Sequence, residues 1–173
     1  MPPYPTLIDE AAIARRVDAM AGEIAALAGN DLVAVGLLKG CFVFMADLVR
    51  ALHRHGAACG VDFLQLSSYA DAKVSSGSVK MTSDVTADLA GRRVLLVDDI
   101  LDTGRTLTFA RDRLRAHEPA GLWTAVLLDK PSRREVPFEA DFVGFAIPDR
   151  FVAGYGIDFA ERYRDLPHIV AVD

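Results

Sequence analysis

The 173-residue sequence predicts an α/β domain with a mostly parallel sheet. Apolar runs typical of strands buried on both faces alternate along the chain with segments of helical pattern. This alternation favours parallel strands joined by helices. With 51% hydrophobic residues and no internal repeat or composition shift, residues 1–173 are expected to form one domain around a substantial core. The strand candidates are residues 32–38, 61–66, 94–97, 122–128, 142–146 and 168–172.

The helices are predicted from apolar spacing and from signals at their ends. Between Asp9 and residue 28, apolar side chains recur at a 4-3-4-3 spacing, which is typical of an amphipathic helix. Asp9 is a candidate N-cap, and Gly29 is expected to end this helix. Two further helices are expected over residues 42–52 and about 106–116.

Charge and cysteine content limit the binding partners and the cellular compartment that the sequence predicts. The chain has 19 basic and 24 acidic residues, a net charge of −5, so it has no global attraction to nucleic acid or an anionic membrane. Cys41 and Cys59 show neither metal-type spacing nor a disulfide framework. The first residues lack the order of a signal peptide, and no apolar run reaches membrane-spanning length. We therefore expect a cytoplasmic protein that binds neither nucleic acid nor membrane.

The segment 94–107, VLLVDDILDTGRTL, carries the strongest functional signal. In a parallel sheet, ligands bind beyond the carboxyl ends of the strands, and this segment passes from a strand through a turn into a helix. Successive amides of such a turn, with the helix dipole behind them, form a phosphate site. The hydroxyls of Thr103 and Thr106 can add hydrogen bonds, and Gly104 allows close approach of the backbone.

Three acidic residues accompany this turn. The adjacent carboxylates Asp98 and Asp99 suit ribose hydroxyls or a hydrated magnesium ion, and Asp102 stands directly before the turn. One loop thus offers partners for phosphate, ribose and metal together. Dinucleotide-binding, P-loop and serine-hydrolase motifs are all absent from the sequence.

The segment resembles the phosphoribosyl-pyrophosphate signature of type I phosphoribosyltransferases. From residue 8 to residue 172 the chain resembles the hypoxanthine-guanine phosphoribosyltransferase family, with several motifs in that family's order. The resemblance implies a twisted, mostly parallel sheet flanked by helices, with a small hood formed by the terminal segments. It also implies Mg²⁺ as cofactor, phosphoribosyl pyrophosphate and a 6-oxopurine as substrates, and assembly as a homodimer or homotetramer.

The resemblance assigns residues to the phosphoribosyl pyrophosphate site. Leu38-Lys39-Gly40 resembles the family's first loop, which contacts pyrophosphate and commonly has a cis peptide bond before the lysine. Ser68 and Tyr69 open a polar segment, through residue 78, that resembles the family's mobile closing loop. The other implied contacts are Asp98, Asp99, Thr103, Gly104, Arg105, Thr106 and Arg164.

The resemblance also assigns a base site and a proton-handling residue. Lys130 matches the lysine that donates to the purine O6, and Phe151 matches the aromatic that stacks on the ring. Val152 matches the residue whose main chain meets the base edge. Asp158 matches a residue near the base that contacts magnesium and pyrophosphate, so the implied metal contacts are Asp98, Asp99 and Asp158. Asp102 matches the family residue that handles the proton at purine N7.

Two positions depart from the family pattern. Many members have glutamate where this chain has Asp98, whose carboxylate reaches one methylene less far. Cys41 stands where glycine or serine is common, and we expect a small buried thiol there rather than a nucleophile.

Three alternatives remain at this point. Another phosphoribosyltransferase could use adenine, orotate, uracil or xanthine. Asp102, Lys130 and Phe151 favour the 6-oxopurine branch, and xanthine, which belongs to that branch, stays open. An RNA-binding attenuator of the same fold is expected to have a basic face, against which the net charge of −5 argues. A catalytically silent nucleotide-binding domain is not expected to retain every site residue.

Overall fold

The central element of the computed structural model, which describes residues 4–29, 31–68 and 79–173, is a six-stranded sheet. All neighbouring strands are parallel except β4, which pairs antiparallel with β3 at one edge. The strand order is β4-β3-β2-β5-β6-β7, which confirms the predicted mostly parallel sheet. The strands are β2 (Asp31–Leu38), β3 (Ala58–Ser68), β4 (Val79–Ser83), β5 (Arg93–Leu101), β6 (Gly121–Asp129) and β7 (Phe142–Ala146).

Helices cover both faces of this sheet. The helices α1 (Glu10–Ala28) and α2 (Phe42–Arg54) pack on one face, and α3 (Arg105–Arg115) packs on the other. Strand β5 contributes alternate side chains to the two cores, Leu95 to the α1–α2 side and Leu96 to the α3 side. Burial on both faces is the reason this strand has a continuous apolar run.

The predicted end signals of the first helix are confirmed. The Asp9 carboxylate accepts a hydrogen bond from the Ala12 amide at 2.7 Å and so satisfies one of the unpaired amides of the first turn. Gly29 ends the helix with a φ of 77°, in the left-handed region that glycine adopts without steric cost. No helix in the described part of the chain is long and apolar enough to cross a membrane.

A second, smaller sheet forms the expected hood from the terminal segments. Its strands are β1 (Thr6–Ile8), β9 (Ile169–Ala171) and β8 (Val152–Ala153), which pair antiparallel in the order β1-β9-β8. The sheet joins the two ends of the chain above the central sheet and contributes Ile8 and Ile169 to the core on the α1–α2 side.

Candidate active site

A pocket of about 250 Å³ opens at the carboxyl edge of the central sheet, where β2 and β5 end. The loop after β2 and the turn after β5 form its walls. These two segments are distant in sequence and meet because β2 and β5 are adjacent parallel strands. The predicted site residues that line the pocket are Leu38, Gly40, Asp98, Asp99, Asp102, Thr103, Gly104 and Thr106.

The turn between β5 and α3 has the features of a phosphate site. Gly104 has a φ of 86° and caps the helix. The first intrahelical hydrogen bond runs from the Thr108 amide to the Gly104 carbonyl at 3.0 Å, so the amides before it have no partner within the helix. The Thr103 hydroxyl accepts from the Arg105 amide at 3.4 Å. Unpaired amides at a helix N-terminus attract anions.

Asp98 and Asp99 form a buried acidic pair beside this turn. Asp98 is 8% exposed and accepts a hydrogen bond from the Asp99 amide at 2.9 Å. Burial and the neighbouring Asp99 charge raise the pKa of the Asp98 carboxyl well above its ordinary value. Burial also raises the pKa of the Asp99 carboxyl, and hydrogen bonds with Asp98 and the Ile100 amide, followed by the charge of Arg164, counter this effect in part. The pair is therefore costly to keep ionised without a cation or hydroxyl donors.

The first loop lies directly against Asp99. The Leu38–Lys39 peptide bond is cis, as expected from the family resemblance. A Cβ atom on Gly40 would lie 1.8 Å from Asp99 Oδ2, so a larger residue at this position would have to displace the Asp99 carboxylate. Lys39 is exposed, and the Cys41 thiol behind the loop is fully buried, as expected. Burial raises the pKa of that thiol, which keeps it from acting as a nucleophile.

The C-terminal loop reaches the same place from the hood. A Cβ on Gly156 would lie 2.5 Å from the Gly40 carbonyl oxygen, so the two loops are in close contact. Arg164 donates to the Gly156 carbonyl at 2.7 Å and pairs with Asp158 at 2.7 Å. The second oxygen of Asp158 accepts from the Glu161 amide at 3.0 Å. The guanidinium of Arg164 is thereby held near the first loop and Asp99.

The predicted base-site residues lie next to the phosphate turn. The Lys130 amide donates to the Leu101 carbonyl at 2.9 Å, which places Lys130 beside the end of β5. Its side chain is buried, and its Nζ lies 5.9 Å from the centre of the Phe151 ring. Phe151 is 71% exposed, whereas Val152 is buried in β8. An ammonium group facing an exposed aromatic face leaves room for a flat ligand against that ring.

The segment after Lys130 supports the turn, and sequence analysis did not predict this role. A short 3-10 helix, Pro131–Arg133, is followed by Glu135 and Val136, whose amides donate to the Thr103 carbonyl at 3.0 and 3.1 Å. The Glu135 carboxylate also pairs with the Arg105 guanidinium at 2.7 Å. Arg105 therefore contributes its amide to the turn, while its side chain is held outside it.

Two consecutive arginines, Arg133 and Arg134, hold Asp102, and sequence analysis missed both. Arg134 donates to the carbonyls of Leu101 and Asp102 and forms a mostly buried ion pair with Asp129. Arg133 donates to the Asp102 carboxylate at 3.2 Å. The only signal in the sequence is the pair of arginines shortly after a strand-end lysine, which on its own is typical of a solvated surface.

Part of the predicted phosphoribosyl pyrophosphate site lies outside the described residues. Tyr69 and the polar segment through residue 78 belong to it. Ser68 is described only in its main chain, at the end of β3, where it pairs with Val79 of β4.

Comparison with known proteins agrees with this fold. A model of the phosphoribosyl transferase domain family matches residues 5–160, most of the chain. The matched residues include the parallel sheet and, at its carboxyl edge, the phosphate turn and the paired carboxylates. The chain therefore belongs to the phosphoribosyltransferase family.

Relatives of known name place the chain within one branch of that family. It is 48% identical over 169 residues to the hypoxanthine-guanine phosphoribosyltransferase of Aquifex aeolicus, covering 96% of this chain and 93% of the relative. It is 46% identical over 166 residues to the hypoxanthine phosphoribosyltransferase of Escherichia coli, covering 94% and 92%. The crystal structure of a hypoxanthine-guanine phosphoribosyltransferase from Bacillus anthracis has a TM-score of 0.89 at 42% identity and covers 98% of both chains. The branch is that of the hypoxanthine-guanine phosphoribosyltransferases.

Proposed function

We propose that this protein transfers the 5-phosphoribosyl group from phosphoribosyl pyrophosphate to N9 of hypoxanthine or guanine, a purine salvage reaction. The observation that carries the proposal is one continuous site: a phosphate turn and an acidic pair in the pocket, with Lys130 and Phe151 adjoining them. The relatives named above act on hypoxanthine or on hypoxanthine and guanine, as their names state.

The pocket accounts for the binding of phosphoribosyl pyrophosphate. The 5-phosphate binds to the amides of the turn at residues 103–106, with added hydrogen bonds from the two threonine hydroxyls. The ribose hydroxyls donate to Asp98 and Asp99. The pyrophosphate lies against Leu38-Lys39-Gly40, where Arg164 supplies positive charge near the leaving group.

The acidic pair fits a magnesium ion. Two adjacent carboxylates with raised pKa gain from a nearby dication, because it offsets the cost of their buried charge. The described residues contain no group of three or more histidine, cysteine or acidic side chains placed together so that they could hold a metal ion by themselves. Magnesium suits such a site, since it usually takes one or two protein carboxylates together with substrate phosphates and water. We propose that Asp98 and Asp99 would hold it, with Asp158, which is paired with Arg164 in this structure, as the further contact that the family resemblance implies. When bound, the ion would neutralise charge on pyrophosphate.

Lys130 and the hood select the base. The Lys130 ammonium has donors only, so it pairs with the 6-oxo group of hypoxanthine or guanine and opposes the 6-amino group of adenine. The Phe151 ring stacks on the base, and the main chain of Val152 meets its edge. A mismatch at a buried polar contact discriminates strongly between otherwise similar substrates.

Asp102 handles the proton at purine N7 during transfer. The bond from the anomeric carbon to pyrophosphate breaks as the bond to N9 forms, and positive charge develops on the ribose ring. Holding the base in line and stabilising the leaving group supply most of the catalysis. Proton handling by one positioned side chain typically adds about 10²–10⁴ in rate.

We propose three further properties of the protein. It acts as one phosphoribosyltransferase domain over residues 1–173, because the C-terminal loop of the hood, at Gly156, is in close contact with the first loop of the pocket at Gly40. It forms a homodimer or homotetramer, and the exposed apolar side chains of Phe42, Val61 and Phe63 are candidates for burial between the copies. It works in the reducing cytoplasm, in keeping with two free thiols at Cys41 and Cys59.

A spectrophotometric assay tests the function. Purified protein with magnesium and phosphoribosyl pyrophosphate receives hypoxanthine, guanine, xanthine or adenine in turn, beside the Asp102→Asn variant. We expect rapid nucleotide formation from hypoxanthine or guanine and a loss of about 10²-fold or more in the variant. Turnover of adenine in preference to the 6-oxopurines, or of none of the four bases, would refute the assignment.

A further inference from the structure

Arg133 connects the two loops between which the base is proposed to bind. Its Nε lies 3.2 Å from Asp102 Oδ1 and 3.7 Å from Asp149 Oδ1. Asp102 belongs to the loop after β5, whereas Asp149 lies in the loop that leads to Phe151. One guanidinium thus joins the carboxylate proposed to handle the proton to the segment that carries the stacking ring.

The main chain around Asp102 is held without Arg133. Arg134 binds the carbonyls of Leu101 and Asp102, and the Thr103 carbonyl accepts two amides of the following segment. These contacts fix the path of the backbone through the turn. Arg133 instead contacts the Asp102 carboxylate, so we expect it to affect the orientation of that side chain.

We infer that Arg133 is a positioning residue, which orients the Asp102 carboxylate towards the base and ties it, through Asp149, to the loop bearing Phe151. The inference rests on the proposed function, in which Asp102 acts at purine N7. The Asp102 side chain is 38% exposed, so water competes for its oxygens. A charge-assisted hydrogen bond to one oxygen selects one rotamer and leaves the other oxygen for the base.

This role predicts a kinetic effect without a matching loss of stability. Half-exposed ion pairs contribute little to global stability, and Arg133 is 46% exposed. Misplacement of a proton-handling group forfeits part of its contribution to rate. Among the described residues, Arg133 meets the phosphate turn only through the Asp102 carboxylate and forms no ion pair with the first loop. Binding of phosphoribosyl pyrophosphate is therefore expected to be unaffected.

The test is steady-state kinetics of Arg133→Met, which keeps much of the apolar stem and removes the guanidinium. We expect kcat/KM for hypoxanthine to fall about tenfold, mainly through kcat. The KM for phosphoribosyl pyrophosphate and the melting temperature should stay at the wild-type values. Arg133→Lys, which keeps the charge and a donor, should recover most of the loss.

A double-mutant cycle separates positioning from a general structural role. If Arg133 acts through the Asp102 carboxylate, Arg133→Met should cause no further loss in an Asp102→Asn background. The matched control is Arg54→Met, because Arg54 forms a comparable surface ion pair with Asp18 at 3.0 Å between α1 and α2. That control should keep wild-type kinetics.

The outcomes that overturn the inference are distinct from those that overturn the proposed function. Wild-type kinetics in Arg133→Met, or a full additional loss in the Asp102→Asn background, would show that Arg133 does not act through Asp102. Absence of turnover in the wild-type protein would refute the proposed function, and the inference with it. Turnover by the wild-type protein is measured first, so a failure of the proposed function is recognised before the variants are compared.

Discussion

Replacement of Gly40 by alanine tests whether the first loop and the Asp99 carboxylate form one binding surface. The added Cβ would lie 1.8 Å from Asp99 Oδ2 and 2.6 Å from its Cγ, whereas real Cβ atoms essentially never approach a heavy atom closer than 3.0 Å. The distance to Oδ2 must therefore grow from 1.8 Å to at least 3.0 Å, a shift of about 1.2 Å. The clashing atoms all belong to the Asp99 carboxyl group, so the shift moves that carboxylate away from its place in the site.

The backbone of the first loop is confined by its neighbour, so the Asp99 carboxylate is the group that moves. The carbonyl of Gly40 is in close contact with Gly156, at which a Cβ would lie 2.5 Å from that oxygen. Asp99 is half-buried beside Asp98, which accepts its amide hydrogen. The shift is therefore expected to displace the acidic pair relative to the first loop, the two parts proposed to bind ribose and pyrophosphate.

The expected result is a loss of about 100-fold in kcat/KM for phosphoribosyl pyrophosphate, since a misplacement of about 1 Å can cost that much. Initial rates at saturating hypoxanthine measure it directly. Gly60→Ala in β3 is the matched control, because its Cβ would meet only Leu32 O at 3.7 Å and Val33 Cγ2 at 3.8 Å, which are ordinary contacts. A folded Gly40→Ala protein with wild-type kcat/KM would refute the reasoning.

Two further predictions concern stability. Asp98→Asn should stabilise the ligand-free protein at pH 7. Burial and Asp99 raise the pKa of the Asp98 carboxyl, so the folded state binds its proton more tightly than the unfolded chain does. The wild type therefore loses stability as the pH rises above the ordinary pKa of 3.8. Each unit of that pKa difference corresponds to about 1.4 kcal/mol. Thermal melts in a chelator should show the gain at pH 7 and its disappearance near pH 4, and an equal gain at both pH values would contradict this electrostatic cause. Arg134→Met should lower the free energy of unfolding by about 3 kcal/mol, because it leaves the mostly buried Asp129 carboxylate without its partner. Urea titration measures this loss. Arg134→Lys should not restore the stability, because an ammonium group cannot match the planar guanidinium with its several donors. Wild-type stability in Arg134→Met would show that these contacts do not hold the turn.

Local patterns in the sequence were sufficient to predict the main elements of the fold. The apolar run at residues 32–38 became β2, and the helix capped by Asp9 begins and ends where its signals indicate. These predictions succeed because burial on both faces and helix capping are properties of a few neighbouring residues. The prediction of parallel strands followed from the same alternation.

The strands that depend on distant partners were not predicted from local pattern. β4 is an edge strand of five residues, and β1 and β8 have three and two. Segments so short carry little periodicity of their own, and they become strands because β3 or β9 supplies the hydrogen-bonding partner. The hood was expected from the family resemblance rather than from its residues.

The sequence by itself determined which chemical groups the site contains. The motif at 94–107 placed three carboxylates and a glycine turn at the end of a strand, and the residues matched to the family supplied Lys130 and Phe151. The types of these residues, and the edge of the sheet at which they lie, follow from the order of the chain and the direction of the strands alone.

Only the tertiary structure decided how these groups act on one another. It set Gly40 against Asp99, raised the pKa of Asp98 by burial, and brought Arg133 and Arg134 to Asp102. These contacts cannot be read from the spacing of residues, because they join segments that are separate in sequence. The burial of Asp98 likewise depends on the packed fold. Contact distance and desolvation belong to the packed fold, and they determine whether a carboxylate is ionised, oriented and able to react.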